Sequence, residues 1–534
     1  MASPFLIRRM AAAAVIAAIV GLSVGTTAPA ADRQTLVIGV ETEPQRMDPH
    51  SSTTWHTFRV LLHVFEGFVE EDLRSNDQAP PRIIPALAES WDVSPDGKTY
   101  TFHLRKGVTF HDGTPWNAIA AKFNLDRMTD EKFEYYQKAA KGLMRWVWAD
   151  LESYRVVDEY TFEIKLKNRV SDFIRRLASG GSGAPRMVSP TAAKNFGTDG
   201  IETHPVGTGP YKYSGRIVGE SVRLERNDDY WDRARRGKTK SLIFRGLPEL
   251  ASRESELLAG EVDIIATPSP YSIPYLERSG MKIVSSPVPT LYLIWVNHAD
   301  PILKNPKVRE ALCMAMDRTN FVKSHRRGYA RPAYGILNFG GPGYDPDYRD
   351  CTYDPAKAKA LLAEAGYPNG FSTRLLASTS GGGAVGRIED ATWFQRDLAR
   401  IGVTITIDVL HNKNFWDVLG AGMPEGIGFM DFVWGESTAQ WLDLVVAAGA
   451  LPPSGFNAGR YNNPEIDKLL LEARSAPDEA AQVAALRKVQ QIIGKDHAWL
   501  PTYIPVGAYA LRPNVSGFVM PPEQWADFTG VVKN

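Results

Sequence analysis

Cysteine is nearly absent: Cys313 and Cys351 are the only two in 534 residues. One bridge at most can form, and spacing alone leaves a bridge and two unpaired buried thiols equally open. An excess of charge of either sign is also missing, with 61 Lys plus Arg against 61 Asp plus Glu. No global field draws nucleic acid or an acidic membrane, and no nucleic-acid partner is expected. Past the first thirty residues no run reaches the ~18 apolar residues of a membrane span. The usual catalytic signatures are incomplete as well. Gly97-Lys98-Thr99 and Gly237-Lys238-Thr239 lack the upstream glycine of a phosphate loop. His50, His56 and His63 are spaced by six and seven, which suits no common metal pattern.

What is present begins at the N-terminus. Arg8 and Arg9 precede the apolar run Ala11 to Val24, and Ala28-Pro29-Ala30 offers a small-residue cleavage site. Residues 1–30 therefore read as a signal peptide, with a mature chain starting near Ala31 or Asp32. No cysteine follows the run, which argues against a lipid anchor and for a diffusible exported protein. The length predicts two or three domains, and 44% apolar with 23% charged residues is an ordinary globular balance.

"SPDGK" at 94–98 is a turn leading into the alternating Tyr100, Phe102 and Leu104 of a half-buried strand. "FHDGTPW" at 110–116 follows. Its His111 and Asp112 stand next to Gly113 and Pro115, so a structural turn is the expected role rather than a metal or catalytic cluster. "GESTA" at 435–439 imitates a nucleophile elbow around Ser437 but ends in Ala439. Gly381, Gly383 and Gly386 have GxGxxG spacing, and Asp408 lies about where a ribose-binding acid would fall. Export argues against a nicotinamide cofactor. The physics that survives is a Gly-rich loop opening a helix, whose N–H groups favour an anionic ligand group. No cofactor, metal or catalytic residue is assigned.

The second half carries capped helices: Asn305-Pro306, Asp354-Pro355 and Asn463-Pro464 each pair an N-cap residue with proline at the first helical position. The last thirty residues return to the Pro-punctuated texture of the first half. A chain that ends as it began is expected to cross between two lobes more than once, with hinges near 285–290 and 498–503.

These blocks together resemble the family 5 extracellular solute-binding proteins of ABC importers, the oligopeptide- and dipeptide-binding class. The resemblance is carried by "MDPH" (47–50), "LAESWDVSPDGKTYTFHLRKGVTFHDGTPWNA" (87–118), "PVGTGPYKY" (205–213), "RNDDYW" (226–231), "LLAGEVDII" (257–265) and "NPKVREALCMAMDR" (305–318). It implies an α/β, two-lobed periplasmic-binding-protein fold with an extra subdomain in the first lobe. The lobes are expected at 31–55 plus 185–287 plus 500–534, and at 288–499, with the subdomain at 56–184. The implied role is a periplasmic monomer that carries a small-molecule or peptide solute to permease subunits in the inner membrane, and is not an enzyme.

Peptide-binding members place an Asp three residues after a Trp in the second lobe. Here that position after Trp434 is Ser437, with Glu436 one residue earlier. Dipeptide binders have an Arg at the start of the Gly381–Gly383 loop, where the nearest is Arg387. The expected ligand residues are Trp55, His56, Gly383, Arg387, Trp416, Trp434, Glu436, Ser437 and Trp441. The favoured solute is a short peptide or peptide-like zwitterion. The alternatives are the same carrier role for an opine, sugar phosphate or oligosaccharide, and a secreted serine hydrolase built on Ser437.

Overall fold

Asn305, Asp354 and Asn463 each cap a helix as their sequence context predicts. Their side-chain oxygens accept from the N–H of Lys307, Lys357 and Glu465 at 3.0, 2.9 and 3.1 Å. They open the helices Pro306–Ala315, Pro355–Glu364 and Pro464–Arg474, each cap contributing about 1 kcal/mol. The computed structural model describes residues 34–44, 46–52, 55–179, 184–378, 387–410, 412–435 and 441–534. The side chains of Trp55, Arg387, Asn412, Lys413 and Trp416 lie outside the description. So do residues 1–30, on which the signal-peptide expectation falls.

A twelve-stranded sheet links the two halves. In the first half, Thr35–Val40 pairs in parallel with Ser241–Gly246 and Ile264–Ala266. In the second, Leu291–Val296 lies between Phe429–Trp434 and the thirteen-residue strand Trp499–Leu511. The strand Leu291–Val296 is buried on both faces. Leu291, Leu293 and Trp295 face one core and Tyr292, Ile294 and Val296 the other, as its unbroken apolar run requires. Trp499–Leu511 runs through both halves: Trp499 to Tyr503 pair with Leu291–Val296, and Val506 to Leu511 pair with Lys282–Pro287. Among the described residues, the passages between halves thus include 288–290 and the middle of this strand.

A separate antiparallel sheet, in the order Ala88–Val93, Thr99–Leu104, Thr161–Leu166, Leu151–Asp158, forms the extra subdomain. Tyr100, Phe102 and Leu104 point into its core as the alternation predicts. There Phe68 stacks on Phe102 at 4.7 Å. Phe58, Val60, Leu61, Val64 and Phe65 belong to the first-half core, later in the chain than a boundary at 56. Leu500, Tyr503 and Ile504 still pack in the second-half cores, past a boundary at 499.

The "FHDGTPW" turn is scaffold. His111 donates its backbone N–H to Gly207 and bonds through Nε2 to the Gly209 carbonyl at 2.9 Å. Asp112 accepts from Thr114 and from the hydroxyl of Ser189, which caps the helix Pro190–Phe196. Gly207 is required here, because a Cβ would stand 2.1 Å from the Val64 carbonyl oxygen. In "MDPH", Asp48 takes both Arg127 guanidinium nitrogens in the buried core. His50 accepts from Arg127 and donates to the Arg186 carbonyl.

Candidate ligand-binding cleft

Where Trp499–Leu511 changes partner, a cavity opens between the halves. It holds about 110 Å³ and is lined by Arg59, Thr267 and Tyr509 from the first half, by Tyr292, Arg326 and Tyr329 from the second, and by Gln524.

The first-half wall is organised around Glu41. The helix Trp55–Leu61 presents Arg59, whose Nη1 meets Glu41 at 2.9 Å, and the Thr267 hydroxyl donates to the same carboxylate. Burial opposes ionisation of Glu41, but Arg59, His56, Arg253 and the Thr267 hydroxyl outweigh it and hold the carboxyl down to about 2. Thr267 has a φ of 48°. A β-branched residue rarely adopts that left-handed backbone, and such strain gathers at ligand clamps. Arg59 also lies over the Tyr509 ring, 5.6 Å from its centroid.

The second-half wall is organised around Asp390. A π-helical turn, Phe321–His325, delivers His325 and Arg326 side by side. Asp390 sits in the first turn of the helix Arg387–Ala399. Arg326 Nη2 donates to Asp390 at 2.7 Å and to the Tyr503 hydroxyl, which itself donates to Asp390 at 2.7 Å. His325 Nε2 stands 3.1 Å from the other Asp390 oxygen. Tyr292 and Tyr503 stack with centroids 4.4 Å apart under the guanidinium. Burial opposes the Arg326 charge, yet Tyr503 and Asp390 raise its pKa.

The walls touch across the opening. The Tyr271 hydroxyl reaches His325 Nδ1 at 2.8 Å, and Gln524 Nε2 donates to the Gly435 carbonyl at 3.0 Å. Gly435 presses so closely on Pro289 and Thr290 that a Cβ would stand 1.9 Å from the Pro289 oxygen. At the subdomain end, Ser171 bonds the carbonyls of Ala473 and Arg474 and receives Gln482.

Among the sequence-predicted residues, His56 lies beside Glu41 and Arg59. Burial, opposed by Glu41 and reinforced by Arg59 and Arg253, pushes its imidazole down to about 4, so it is neutral at pH 7. Trp434 ends its strand opposite Leu291 and stacks on Phe432. Its indole N–H is buried without a hydrogen-bond partner among the described residues. Trp441 is 2% exposed and stacks on Trp499 in the second-half core. Gly383, Glu436 and Ser437 lie outside the described residues, as do the side chains of Trp55, Arg387 and Trp416. The sequence reading missed Glu41, Arg59, Thr267, Arg326, Asp390 and Tyr503. One signal was available: Arg59 lies one helical turn after His56, on the same face.

The comparisons agree with this architecture. The family model for bacterial extracellular solute-binding proteins, family 5 middle, matches residues 82–435. The glutathione-binding protein GsiB of Shigella flexneri is 32% identical over 501 residues, covering 92% of this chain and 93% of that protein. GsiB of Salmonella typhimurium is 32% identical over 514 residues, 94% of each chain. Among solved structures, the periplasmic binding protein DppA from Helicobacter pylori, in complex with the peptide STSA, superposes with a TM-score of 0.79. It has 26% identity over 93% of this chain and 98% of that one. AgaA from A. tumefacien R10, in complex with agropinic acid, gives 0.74 and 25%, over 93% and 97%. The chain belongs to the bacterial extracellular solute-binding proteins of family 5, the solute-capturing components of ABC importers.

Proposed function

We propose that the chain is a periplasmic carrier that captures a short peptide or peptide-like zwitterion between its lobes and hands it to permease subunits in the inner membrane. The observation that carries this reading is the charge layout of the cleft. Arg59 lines one wall and Arg326 the other, with Glu41 and Asp390 paired behind them, so a solute with separated ammonium and carboxylate groups meets an ion pair on either side. The relatives named for glutathione and for a bound peptide support the same class. A cavity of about 110 Å³ is smaller than the roughly 300–1,000 Å³ of a typical ligand pocket. Uptake of a peptide therefore requires the lobes to part about the passages at 288–290 and in Trp499–Leu511.

The first lobe takes in the Thr35–Val40 half with its extra subdomain, and the second lobe the Leu291–Val296 half. The ligand contacts retained from the sequence are Glu436 and Ser437, which follow Gly435 in the chain, with Gly383, Arg387 and Trp434. The protein works as a monomer and without chemistry. Native mass spectrometry of protein purified without denaturation tests the reading: a co-purified mass fitting a small peptide supports it, and a neutral oligosaccharide refutes it. The AgaA likeness favours one second reading, an opine, which joins an amino-acid zwitterion to a sugar-derived part. Ester or peptide turnover abolished by Ser437→Ala would instead show a hydrolase.

A further inference from the structure

In a second-half core and outside the cleft lining, the Cys313–Cys351 bridge lies in a group of side chains that the carrier reading does not use. The sulfurs are 2.05 Å apart. The ligand atoms of Cys313, Asp350 and His497 all lie within 4.8 Å of one another. Asp350 is the residue before Cys351 and lies under the helix Glu479–Lys495. There Gly494 leaves room for Tyr348 and Asp350, since a Cβ would stand 2.1 Å from the Tyr348 hydroxyl and 3.2 Å from the Asp350 Cβ. Neither Asp350 oxygen completes a hydrogen bond among the described residues, although the Cys351 N–H lies in their field. His497 is 7% exposed, and its Nδ1 likewise has no partner among the described residues.

The backbone aims that imidazole at some cost. His497 has a φ of 44° just past the helix end, where its N–H returns to the Gly494 carbonyl at 3.0 Å. Glycine or asparagine ordinarily takes that left-handed position. Arg318 completes the group. Its Nη2 is 3.4 Å from the Cys313 sulfur and its Nη1 is 3.6 Å from that of Cys351.

We propose that Cys313, Cys351, Asp350 and His497 form a redox-gated site for a divalent cation of the zinc type, closed while the disulfide is intact and four-coordinate once a dithiol has reduced it. In the reduction the S–S bond breaks and the dithiol gives up two electrons and two protons to form its own disulfide. The protein then holds two thiols, and the cation displaces their two protons to solvent on binding the thiolates.

Charge supports the gating. With the bridge intact, Asp350 and Arg318 sum to about zero; with two thiolates the group carries about −2, which a divalent cation neutralises. Distance supports it too. Tetrahedral zinc with sulfur, nitrogen and oxygen ligands sets the donor atoms roughly 3.3–3.8 Å apart, so Cys313, Asp350 and His497 close by about an ångström while the Cys351 sulfur moves away from that of Cys313.

The test reduces the folded, exported protein with dithiothreitol, removes the reductant without air, and titrates with zinc chloride alone. The expected result is about one Zn²⁺ per chain in the reduced protein and none in the oxidised protein. Bound zinc should protect both thiols from alkylation and raise the melting temperature of the reduced form, and Co²⁺ in its place should give a thiolate charge-transfer band. His497→Ala and Asp350→Asn should each weaken binding by roughly tenfold or more. The proposal is overturned by reduced protein that takes no zinc, or by oxidised protein that takes as much. Variants that bind as tightly as the parent, or a reduced chain that unfolds and is not rescued by zinc, overturn it equally.

Discussion

The Tyr271 hydroxyl meets His325 Nδ1 at 2.8 Å, joining a loop of the first half to the π-helical turn of the second. His325 passes the contact on to Asp390, which holds Arg326 at the cleft and accepts from the buried Tyr503 hydroxyl. One exposed hydrogen bond therefore ties the position of the first lobe to the charged wall of the second. Arg327 adds to it, lying 4.9 Å from the Tyr271 ring centroid.

Removing that hydroxyl should loosen the closed form without harming either core. Tyr271→Phe loses one hydrogen bond, about 0.5–1.5 kcal/mol. Solute affinity should fall by roughly two- to tenfold, with an unchanged melting temperature of the empty protein. Solution scattering should show the ligand-induced compaction shifted to higher solute concentration. Identical titration curves for variant and parent would mean that the contact plays no part in closure.

The Cys313–Cys351 bridge spans 38 positions in sequence. On chain-entropy grounds that closure stabilises the fold by at most about 4 kcal/mol. The double variant Cys313→Ala/Cys351→Ala should lower the urea midpoint accordingly while leaving solute affinity close to the parent, because the bridge lies outside the cleft lining. A midpoint equal to that of the parent would show that the bridge constrains nothing.

Stability should also depend on Glu66. It accepts from Thr208, Tyr230 and Trp231 in the first-half interior. Burial, with the neighbouring Glu70 charge, nonetheless raises its carboxyl from 4.5 to about 7. The folded state then holds a proton that the unfolded chain has released. This contribution is complete below about pH 4.5 and is lost as the pH rises through about 7, on the order of 3 kcal/mol. Glu66→Gln should flatten that part of the stability profile. Parallel urea-midpoint curves for variant and parent between pH 5 and 8 would contradict it.

Two ligand residues proposed from sequence make a separate expectation. Glu436→Gln and Arg387→Met each remove one member of a charge pair with the solute, at about 2–5 kcal/mol for a desolvated pair. Each should weaken binding at least roughly tenfold with little change in melting temperature. Unaltered affinity in both would move the site wholly onto the Glu41–Arg59 and Asp390–Arg326 walls.

The parts of this molecule legible in its sequence are those fixed by neighbours in the chain. Asn305, Asp354 and Asn463 cap their helices through N–H groups two or three residues on, and Tyr100, Phe102 and Leu104 alternate because a strand has period two. The cleft is the opposite case. Arg326 and Tyr503 are 177 positions apart, and Glu41 and Thr267 are 226 apart. What joins them is the order of strands about Trp499–Leu511, and no local pattern encodes that order. Asp390 was hidden for another reason. An acid in the first helical turn is ordinarily explained by the helix dipole, so nothing marked it as the partner of an arginine. The Cys313–Cys351 pairing was open for the same cause as the cleft, since spacing does not say which side chains meet.

On the proposed function, the cleft recognises separated positive and negative charges on one peptide-like solute. Isothermal titration with glutathione and a set of di- to tetrapeptides, each also in N-acetylated and C-amidated form, tests it most directly. At least one free peptide should bind saturably, with affinity weakened roughly tenfold or more when either end is capped. Capped and free peptides binding alike, or a neutral oligosaccharide binding where every peptide fails, would contradict it.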